Sequence, residues 1–538
     1  MKKSNYNLIN NIGGWLCFVI AAVTYLLTIE PTASFWDCPE FISQGAKLEV
    51  GHPPGNPIFM LAARFFVTLF GGVEHAAVAV NSMSALLSAA TILLLFWSIT
   101  HLARKIMVAD GSEPSVLQTV IIMAAGLCGS LAYTWSDTFW FSAVEGEVYA
   151  FSSFCTALVF WLILKWENRA DEPHSDRYLV LIAYVIGVSI AVHLLNLLCI
   201  PAIVLVYYYR RHKDADAKGS LMALGVSVVI VAAILYGLVP GFIKVAQGFE
   251  LVAVNTLGMG YNMGVIIYAV ALVAVLVLAV VAINRAKSVA SVKWLVFFAL
   301  VLSGLTFVTD SVWVWVLLIA VVGGGLAFMP KVPVRVFNVM MLSILVIFAG
   351  YSSYALLLIR ASANTPMNQN APDNVFALAS YLNREQYGQR PLFLGPVYAE
   401  TLDLVANNDP TNPQYFAAVD ENGIPVTKTY DNILRDENGA AVDRGESSYM
   451  KVTKTSASEP DKYVKAGWTP DYATAPDLNM LFTRVYSSDH IKGYKDWGLH
   501  ENSDLANLPY LVPADTRRQW AETGYAPVYQ LMSYLPNL

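Results

Sequence analysis

Over its first 359 residues the chain alternates long apolar runs with short polar connections, and from Arg360 onward that alternation stops. A membrane-crossing helix needs about 20 mostly apolar residues, each rising about 1.5 Å. Runs of that kind fall at 12–30, 77–100, 117–135, 148–166, 219–240, 264–283, 293–309, 312–329 and 336–359. Two regions fit less simply. Residues 57–72, PIFMLAARFFVTLFGG, are short and carry Arg64, which suits a helix lying at the interface or re-entering from it. Residues 178–209 are long for one span and short for two. With His193 and Asn196 near their middle, they read as two short helices meeting at a polar turn.

The distribution of Lys and Arg decides the first ambiguity. If 57–72 does not cross, the basic clusters share the side of the N-terminus: Arg104 with Lys105, Lys165 to Arg177, Arg210 to Lys218, Arg285 to Lys293, and Lys331 with Arg335. The opposite connections keep chiefly Lys47 and Lys244. Counting 57–72 as a crossing would move HLARK to the other side and break the pattern. The expectation is a polytopic α-helical membrane protein of roughly eleven spans with a cytoplasmic N-terminus. Residues 1–359 form its membrane domain, and 360–538 form a mixed α/β soluble domain on the far side.

Composition agrees. In 538 residues, 56% hydrophobic and 14% charged, with a mean hydropathy of +0.50, there is too little polar surface for a soluble protein of this size. The net charge of -6 includes no basic stripe, which excludes a nucleic-acid partner. Cys17, Cys38, Cys128, Cys155 and Cys199 show neither metal-ligand spacing nor a disulfide framework. Lys2 and Lys3 ahead of the apolar run from Ile12 to Ile29, without a small-residue cleavage site, suit an uncleaved signal anchor. In the soluble part, APDNVFALASYLNREQ reads as an amphipathic helix opened by Pro372 and Asp373, and RPLFLGPVYA reads as a strand. Glu421-Asn422-Gly423 and Glu437-Asn438-Gly439 are turn signals. No phosphate-binding loop of the G-x-x-x-x-G-K kind occurs, so the chain has no recognisable machinery for ATP hydrolysis.

The chemistry concentrates between Thr32 and Pro57, in TASFWDCPEFISQGAKLEVGHPPGNP, where Asp37, Glu40, Lys47, Glu49 and His52 interrupt apolar sequence. Ionisable groups at a membrane surface lose hydration unless they have a partner or a task. Asp37 followed three residues later by Glu40 is equally the spacing of a helix capping box, and on spacing alone both readings stand. The span map puts these acids on one face with Asp137, Glu145, Glu147, Glu250 and Asp310. Glu145 and Glu147 are two apart and converge only at a turn or helix start, where Gly146 permits the bend. Such a face suits transfer between a lipid-borne donor and an exported acceptor, with a carboxylate taking a proton from a hydroxyl. Lys47, His52, Arg64 and His193 are the cations available to a phosphate leaving group. A divalent cation held by Glu145 and Glu147 is the alternative.

The segments SFWDCPEFI, KLEVGHPPGNPIF, SDTFWFSAVEGEVYA and VHLLNLL resemble a bacterial membrane family related to the endoplasmic-reticulum O-mannosyltransferase that modifies plexin-type receptor domains. PMNQNAPDNVFALASYLNREQYG and TRVYSSDHIKGYKDW share the resemblance. It implies the GT-C glycosyltransferase fold and a polyprenyl-phosphate sugar donor, used at the outer face of the cytoplasmic membrane. By this resemblance Asp37 matches the family's first-loop catalytic acid, with Glu40 beside it. HPPGNP is similar to the HPP motif of protein O-mannosyltransferases, which sets His52 and Arg64 near the site. Lys47, His193 and Asn196 are further substrate-binding candidates on the reading of the residues themselves. Glu145 and Glu147, near Asp137, stand where related enzymes carry a second acidic motif. The expected reaction is inverting transfer of a sugar, mannose by the family's suggestion, to Ser or Thr of exported proteins. An oligosaccharyltransferase is the rival enzyme. A transporter or noncatalytic assembly subunit is the rival of another class, but the chain lacks the inverted repeat and midplane acids of a transporter.

The charge bias makes a topological prediction. Alkaline phosphatase fused near residue 370 should be active and a cytoplasmic fluorescent reporter there dark; the opposite pair of results overturns the orientation.

Overall fold

The computed structural model describes residues 5–108, 112–285, 289–309, 311–331 and 333–387, then short strand segments and most of 449–465. It divides into two compact units: residues 1–384 with 450–464, and residues 385–449 with 465–538.

The first unit is helical. It begins with α1 (Tyr6–Leu27), the short α2 (Cys38–Lys47), α3 (Pro57–Leu69) and the long α4 (Ala76–Met107). Then come α5 (Val116–Thr134), α6 (Asp137–Ala143), α7 (Val148–Arg169), α8 (Arg177–Ile190) and α9 (Ile200–Arg211). Next are α10 (Ala217–Ala232), α11 (Val239–Leu251), α12 (Met263–Asn284), α13 (Val289–Leu302) and α14 (Val312–Phe328). The last are α15 (Val334–Tyr351), α16 (Ala355–Ser362) and α17 (Val375–Leu382). Among the described residues eight helical stretches are long and apolar enough to cross a membrane. The protein is a polytopic helical membrane protein.

The two ambiguous regions resolve clearly. With 13 residues, α3 is about 20 Å long, short of the ~30 Å hydrocarbon core. Residues 178–209 form α8 and α9 joined by a 3-10 segment, Leu194–Cys199, for which His193 is the N-cap. The run expected at 219–240 goes further. From Ala217 to Thr256 the chain is continuously helical over 40 residues, through π-helical turns at Ala233–Leu238 and Val252–Thr256. Pro240 does not stop it: it stands in the first turn of α11, directly after the π-helical turn, where proline is tolerated. Near its far end, buried Glu250 caps the next helix, accepting the backbone N–H groups of Asn262 at 2.5 Å and Gly264 at 2.9 Å at the start of α12.

The contact pattern does not divide at 359/360, where the composition breaks. Arg360 donates to the carbonyls of Leu48 and Lys47, and Val50 pairs with Asn368 in a parallel bridge. Residues up to Arg384 therefore belong to the helical unit. The helix expected from Pro372 and Asp373 is α17, but its cap is Asn374, whose Oδ1 accepts from Phe376 and Ala377. Asp373 instead pairs with Lys451 at 2.8 Å.

In the second unit, β1 (Leu394–Pro396) pairs antiparallel with β6 (Asn479–Leu481), and β2 (Leu404–Ala406) with β3 (Tyr415–Ala417). β4 (Asp443–Lys451) pairs with β5 (Tyr463–Pro470). β1 lies inside RPLFLGPVYA. Asp310, both Asn-Gly turn signals and TRVYSSDHIKGYKDW lie outside the described residues.

In lipid, helices gain little from excluding water between them, so close packing at small residues carries the association. α8 and α15 meet in this way. A Cβ on Gly187 would stand 2.5 Å from the Ile347 carbonyl oxygen, and one on Gly350 would meet the Gly187 backbone. Gly187→Val should lower stability by roughly 1–3 kcal/mol through overpacking. A melting temperature in detergent that does not fall would remove this crossing from the account of the fold.

Candidate functional site

Two connections at one end of the helices build the site. The segment before α2 is tied to the connection between α6 and α7: Glu30 N–H donates to the Val144 carbonyl at 3.1 Å and Ser34 Oγ to Glu145 Oε2 at 2.6 Å. Asn81 of α4 braces both sides. Its amide donates to the carbonyls of Glu30 and Thr32, and a Cβ on Gly146 would stand 2.9 Å from its Oδ1. Only glycine lets the second connection come this close.

α2 starts with Pro39 in its first turn and ends at Leu48, in the left-handed region with φ 54°. Its terminal carbonyls would face a poorly hydrated surface without donors. Two guanidinium groups supply them: Arg64 from α3 to the Ala46 carbonyl, and Arg360 to Leu48 at 2.7 Å and Lys47 at 3.2 Å. Cations at a helix C-terminus also meet the negative end of its dipole. Arg64 thus holds α2 in place.

Asp37 occupies the N-cap position of α2, yet its side chain makes no cap hydrogen bond, and Glu40 does not turn back to the cap. Both carboxylates face the loop that follows α2. Glu40 Oε1 accepts from the His52 N–H at 2.7 Å, from His52 Nδ1 at 2.8 Å and from Gln44 Nε2 at 2.9 Å, while Oε2 accepts from Gln369 at 3.2 Å. Because Nδ1 faces a carboxylate, it carries the hydrogen. The other ring nitrogen, Nε2, lies 3.9 Å from Asp37 Oδ2. The loop itself is pinned by Tyr381, fully buried, whose hydroxyl bonds the carbonyls of Gly51 at 2.6 Å and His52 at 3.1 Å. A Cβ on Gly51 would land on the Gln44 amide and the Glu40 carboxylate.

Glu40, although burial raises its pKa, ends below the usual value because the hydrogen bonds and charge of His52, with Gln369, outweigh that burial. His52 is raised, first by its bond to Glu40 and against its own burial; Asp37 adds to the rise and Arg384 opposes it. Both shifts favour the ionised forms, carboxylate and imidazolium, and Asp37 is the solvent-facing edge of the pair. The Asp37 side chain is 57% exposed, against 18% for Glu40 and 25% for His52. Trp36, beside it, has φ 59° and projects its ring into the surroundings, 91% exposed.

Glu145 and Glu147 are both buried but turn to different partners, Glu145 to Ser34 and Glu147 to the Cys38 thiol at 4.0 Å. Burial, then the nearby Asp37 and Glu145 charges, push Glu147 up to about 7 even though the Val148 N–H pulls it down. Among the described residues the one set of side chains close enough to share a metal ion is Asp37, Glu40 and His52, with ligand atoms within 4.8 Å of one another. Glu145 and Glu147 are not members of that set. An imidazole nitrogen with carboxylate oxygens is a donor set that a divalent ion accepts.

The remaining sequence candidates are arranged around this centre or away from it. His193 lies against Tyr149, with ring centroids 5.4 Å apart and the ring planes tilted by 60°, and its Nδ1 accepts the Leu195 N–H. Burial lowers its pKa, and Arg384 lowers it further. Arg384 therefore acts on both His52 and His193. The Asn196 amide is buried with no protein partner for its oxygen or nitrogen. Lys47 extends outward, 4.0 Å from buried Glu49. Asp137 is exposed in the first turn of α6. Sequence reasoning did not single out Gln44, Gln369, Tyr381 or Arg384. The last three stand in the quoted segment PMNQNAPDNVFALASYLNREQYG, which was assigned to the soluble domain.

Residues 37–216, starting at Asp37 itself, match a family profile described as the N-terminal domain of protein O-mannosyl-transferase TMEM260. The chain is related to the protein O-mannosyltransferase family. Protein O-mannosyl-transferase TMEM260 of Mus musculus is 24% identical over 212 residues, covering 39% of this chain and 27% of the relative. Its Dictyostelium discoideum counterpart is 25% identical over 193 residues, covering 34% and 21%. The match thus spans about a quarter of each relative's length. Residues 388–512 match a family of unknown function, DUF8416. No solved structure matches the chain. The O-mannosyltransferase-like region carries Asp37, Glu40, His52, Glu145, Glu147, His193 and Asn196, whereas Gln369, Tyr381 and Arg384 lie beyond it.

The ion pair sets a pH window. Glu40, lowered from 4.5, contributes stability above that value and loses it as pH falls through its folded pKa. His52, raised from 6.5, contributes below that value and loses it as pH rises through its folded pKa. The melting temperature of the native protein should exceed that of Glu40→Gln most between those values, and the gap should narrow on both sides. A gap that stays constant from about pH 4 to about pH 9 means that the pair is not ionic.

Proposed function

We propose that the chain is an integral-membrane, inverting glycosyltransferase of the GT-C type. It moves mannose from a polyprenyl-phosphate carrier to a Ser or Thr hydroxyl of an exported protein. The observation that carries this reading is the exposed Asp37 carboxylate, 3.9 Å from the imidazole of a half-buried Glu40–His52 pair at the start of the O-mannosyltransferase-like region. A carboxylate that neither caps its helix nor is buried in an ion pair is available to a substrate.

In the proposed reaction the acceptor hydroxyl gives its proton to Asp37 as its oxygen bonds the anomeric carbon. The bond from that carbon to the carrier phosphate breaks from the opposite side, and its electron pair leaves on the phosphate. The phosphate needs positive charge already in place. Protonated His52 and the neighbouring Arg384 supply it, in keeping with the direction in which each shifts its neighbours. Arg64 is assigned a positioning role through α2, and Lys47 lies at the rim. His193 and the unpartnered Asn196 amide are assigned to the donor's sugar, and Glu145 and Glu147 to holding the first connection. The basic groups Arg104, Lys105, Lys165, Arg210 and Arg211, all at the helix ends away from Asp37, support a cytoplasmic N-terminus and a site on the outer face of the inner membrane.

Asp37→Asn keeps the size and most of the hydrogen bonding but cannot take the proton. Turnover should fall by roughly 10²-fold or more, with an unchanged melting temperature. The assay is transfer of mannose from a synthetic polyprenyl-phosphate donor to an acceptor peptide by the purified protein. Near-normal transfer by this variant would sink the catalytic assignment, and transfer of an intact oligosaccharide would favour the rival enzyme.

A further inference from the structure

Beyond Arg384 one stretch of the chain returns to the helical unit: Met450–Val464, the turn between β4 and β5 with the adjoining strand ends. It lies inside residues 388–512, the part that matches a family of unknown function. Its deepest residue is Tyr463, 1% exposed.

Three groups of the helical unit seat this turn. The Tyr463 hydroxyl donates to Glu250 Oε1 at 3.1 Å, joining the carboxylate that opens α12. Asn255, in the π-helical turn after α11, takes both polar groups of the Tyr463 backbone: its Oδ1 accepts the N–H at 2.8 Å and its Nδ2 donates to the carbonyl at 2.9 Å. Tyr261 does the same for Lys462, its hydroxyl accepting from the N–H at 3.2 Å and donating to the carbonyl at 2.9 Å, while its own N–H donates to Asp461 at 3.1 Å. Backbone groups removed from water need partners, and here side chains of the helical unit supply them.

The same turn holds α17. The Tyr463 ring meets Phe376 edge-on, with centroids 4.9 Å apart. Lys451 Nζ donates to the Asp373 carboxylate at 2.8 Å and to the Asp373 carbonyl at 3.2 Å, directly before the Asn374 cap. α17 has 8 residues and is about 12 Å long, so a hold on its first turn also sets its last. That last turn carries Tyr381, whose hydroxyl bonds the carbonyls of Gly51 and His52.

We propose that Met450–Val464 is an internal strut: it fixes the start of α17 and, through Tyr381, the loop that carries His52, with Asn255, Lys451 and Tyr463 as positioning residues. Part of the region of unknown function thereby has a task, which is to complete the helical unit. The strut is read from contacts alone, and only its effect on turnover rests on the reaction proposed above.

Hydrogen–deuterium exchange of the full chain in detergent tests it. Asn255→Ala with Lys451→Met should speed exchange of the His52 and Gly55 amides by about 10-fold or more and leave α5 unchanged. Lys451→Arg, which keeps the charge, and Lys454→Met, which breaks a pair within the turn, should each change it by less than about 2-fold. Tyr381→Phe should also loosen the loop, and adding the double change to it should bring no further increase, because both act through one contact. Faster exchange confined to 450–464 and 375–382 overturns the strut, as do fully additive effects. If the double variant does not fold, Tyr463→Phe, which removes only a hydroxyl, decides: faster exchange at His52 and Gly55 supports the strut, and an unchanged loop refutes it. Turnover should fall as the loop loosens; a loosened loop with full turnover supports the strut and counts against the reaction proposed for His52.

Discussion

The Glu40 carboxylate is the group on which the candidate site depends. Four donors converge on it, from α2, from the loop after α2 and from the segment beyond the last apolar run. A carboxylate this poorly hydrated is tolerable only when its charge is matched and its lone pairs are filled. His52 matches the charge, and Gln44, Gln369 and a backbone N–H fill what remains. Satisfying Glu40 fixes the orientation of the imidazole, which in turn sets the distance to Asp37. The groups that make this possible lie outside the ring of contacts: Arg64 and Arg360 hold the far end of α2, and Tyr381 holds the loop carbonyls.

Much of this was legible in the sequence. Apolar run length gave most of the spanning helices, and Arg64 within a short run marked α3 as unlike them. His193 and Asn196 marked the turn between α8 and α9. The concentration of charge between Thr32 and Pro57 singled out the first connection, and Gly146 indicated a tight second one. What spacing left open was the choice between cap and site for Asp37 and Glu40, since three residues apart serves both. Only the position of His52, twelve residues further on, tips the geometry away from the cap.

Other features were hidden for definite reasons. Gln369, Tyr381 and Arg384 are more than 300 residues from the loop they serve, and local pattern carries no record of such pairing. Their segment is polar, so its composition reads as soluble, although its polar groups are spent on α2 and its loop. The helix from Ala217 to Thr256 outran its apolar window because Glu250, near its end, is buried against protein and caps α12. The pairing of Glu145 and Glu147 with different partners was equally invisible, since sequence shows proximity along the chain and not the direction of side chains.

α4 has one further consequence. A single unbroken helix of 32 residues braces the end that holds Asp37 through Asn81 and carries His101, Arg104 and Lys105 at the other. Helices answer a mismatch between their apolar length and the thickness of the bilayer by tilting. Over a lever of about 30 Å, a tilt of about 2° displaces one end by about 1 Å relative to the other. Displacements of that size at a reacting centre cost about 10²-fold in rate. A bilayer thickness that changed the tilt of α4 would thereby reach the geometry around Asp37 through Asn81.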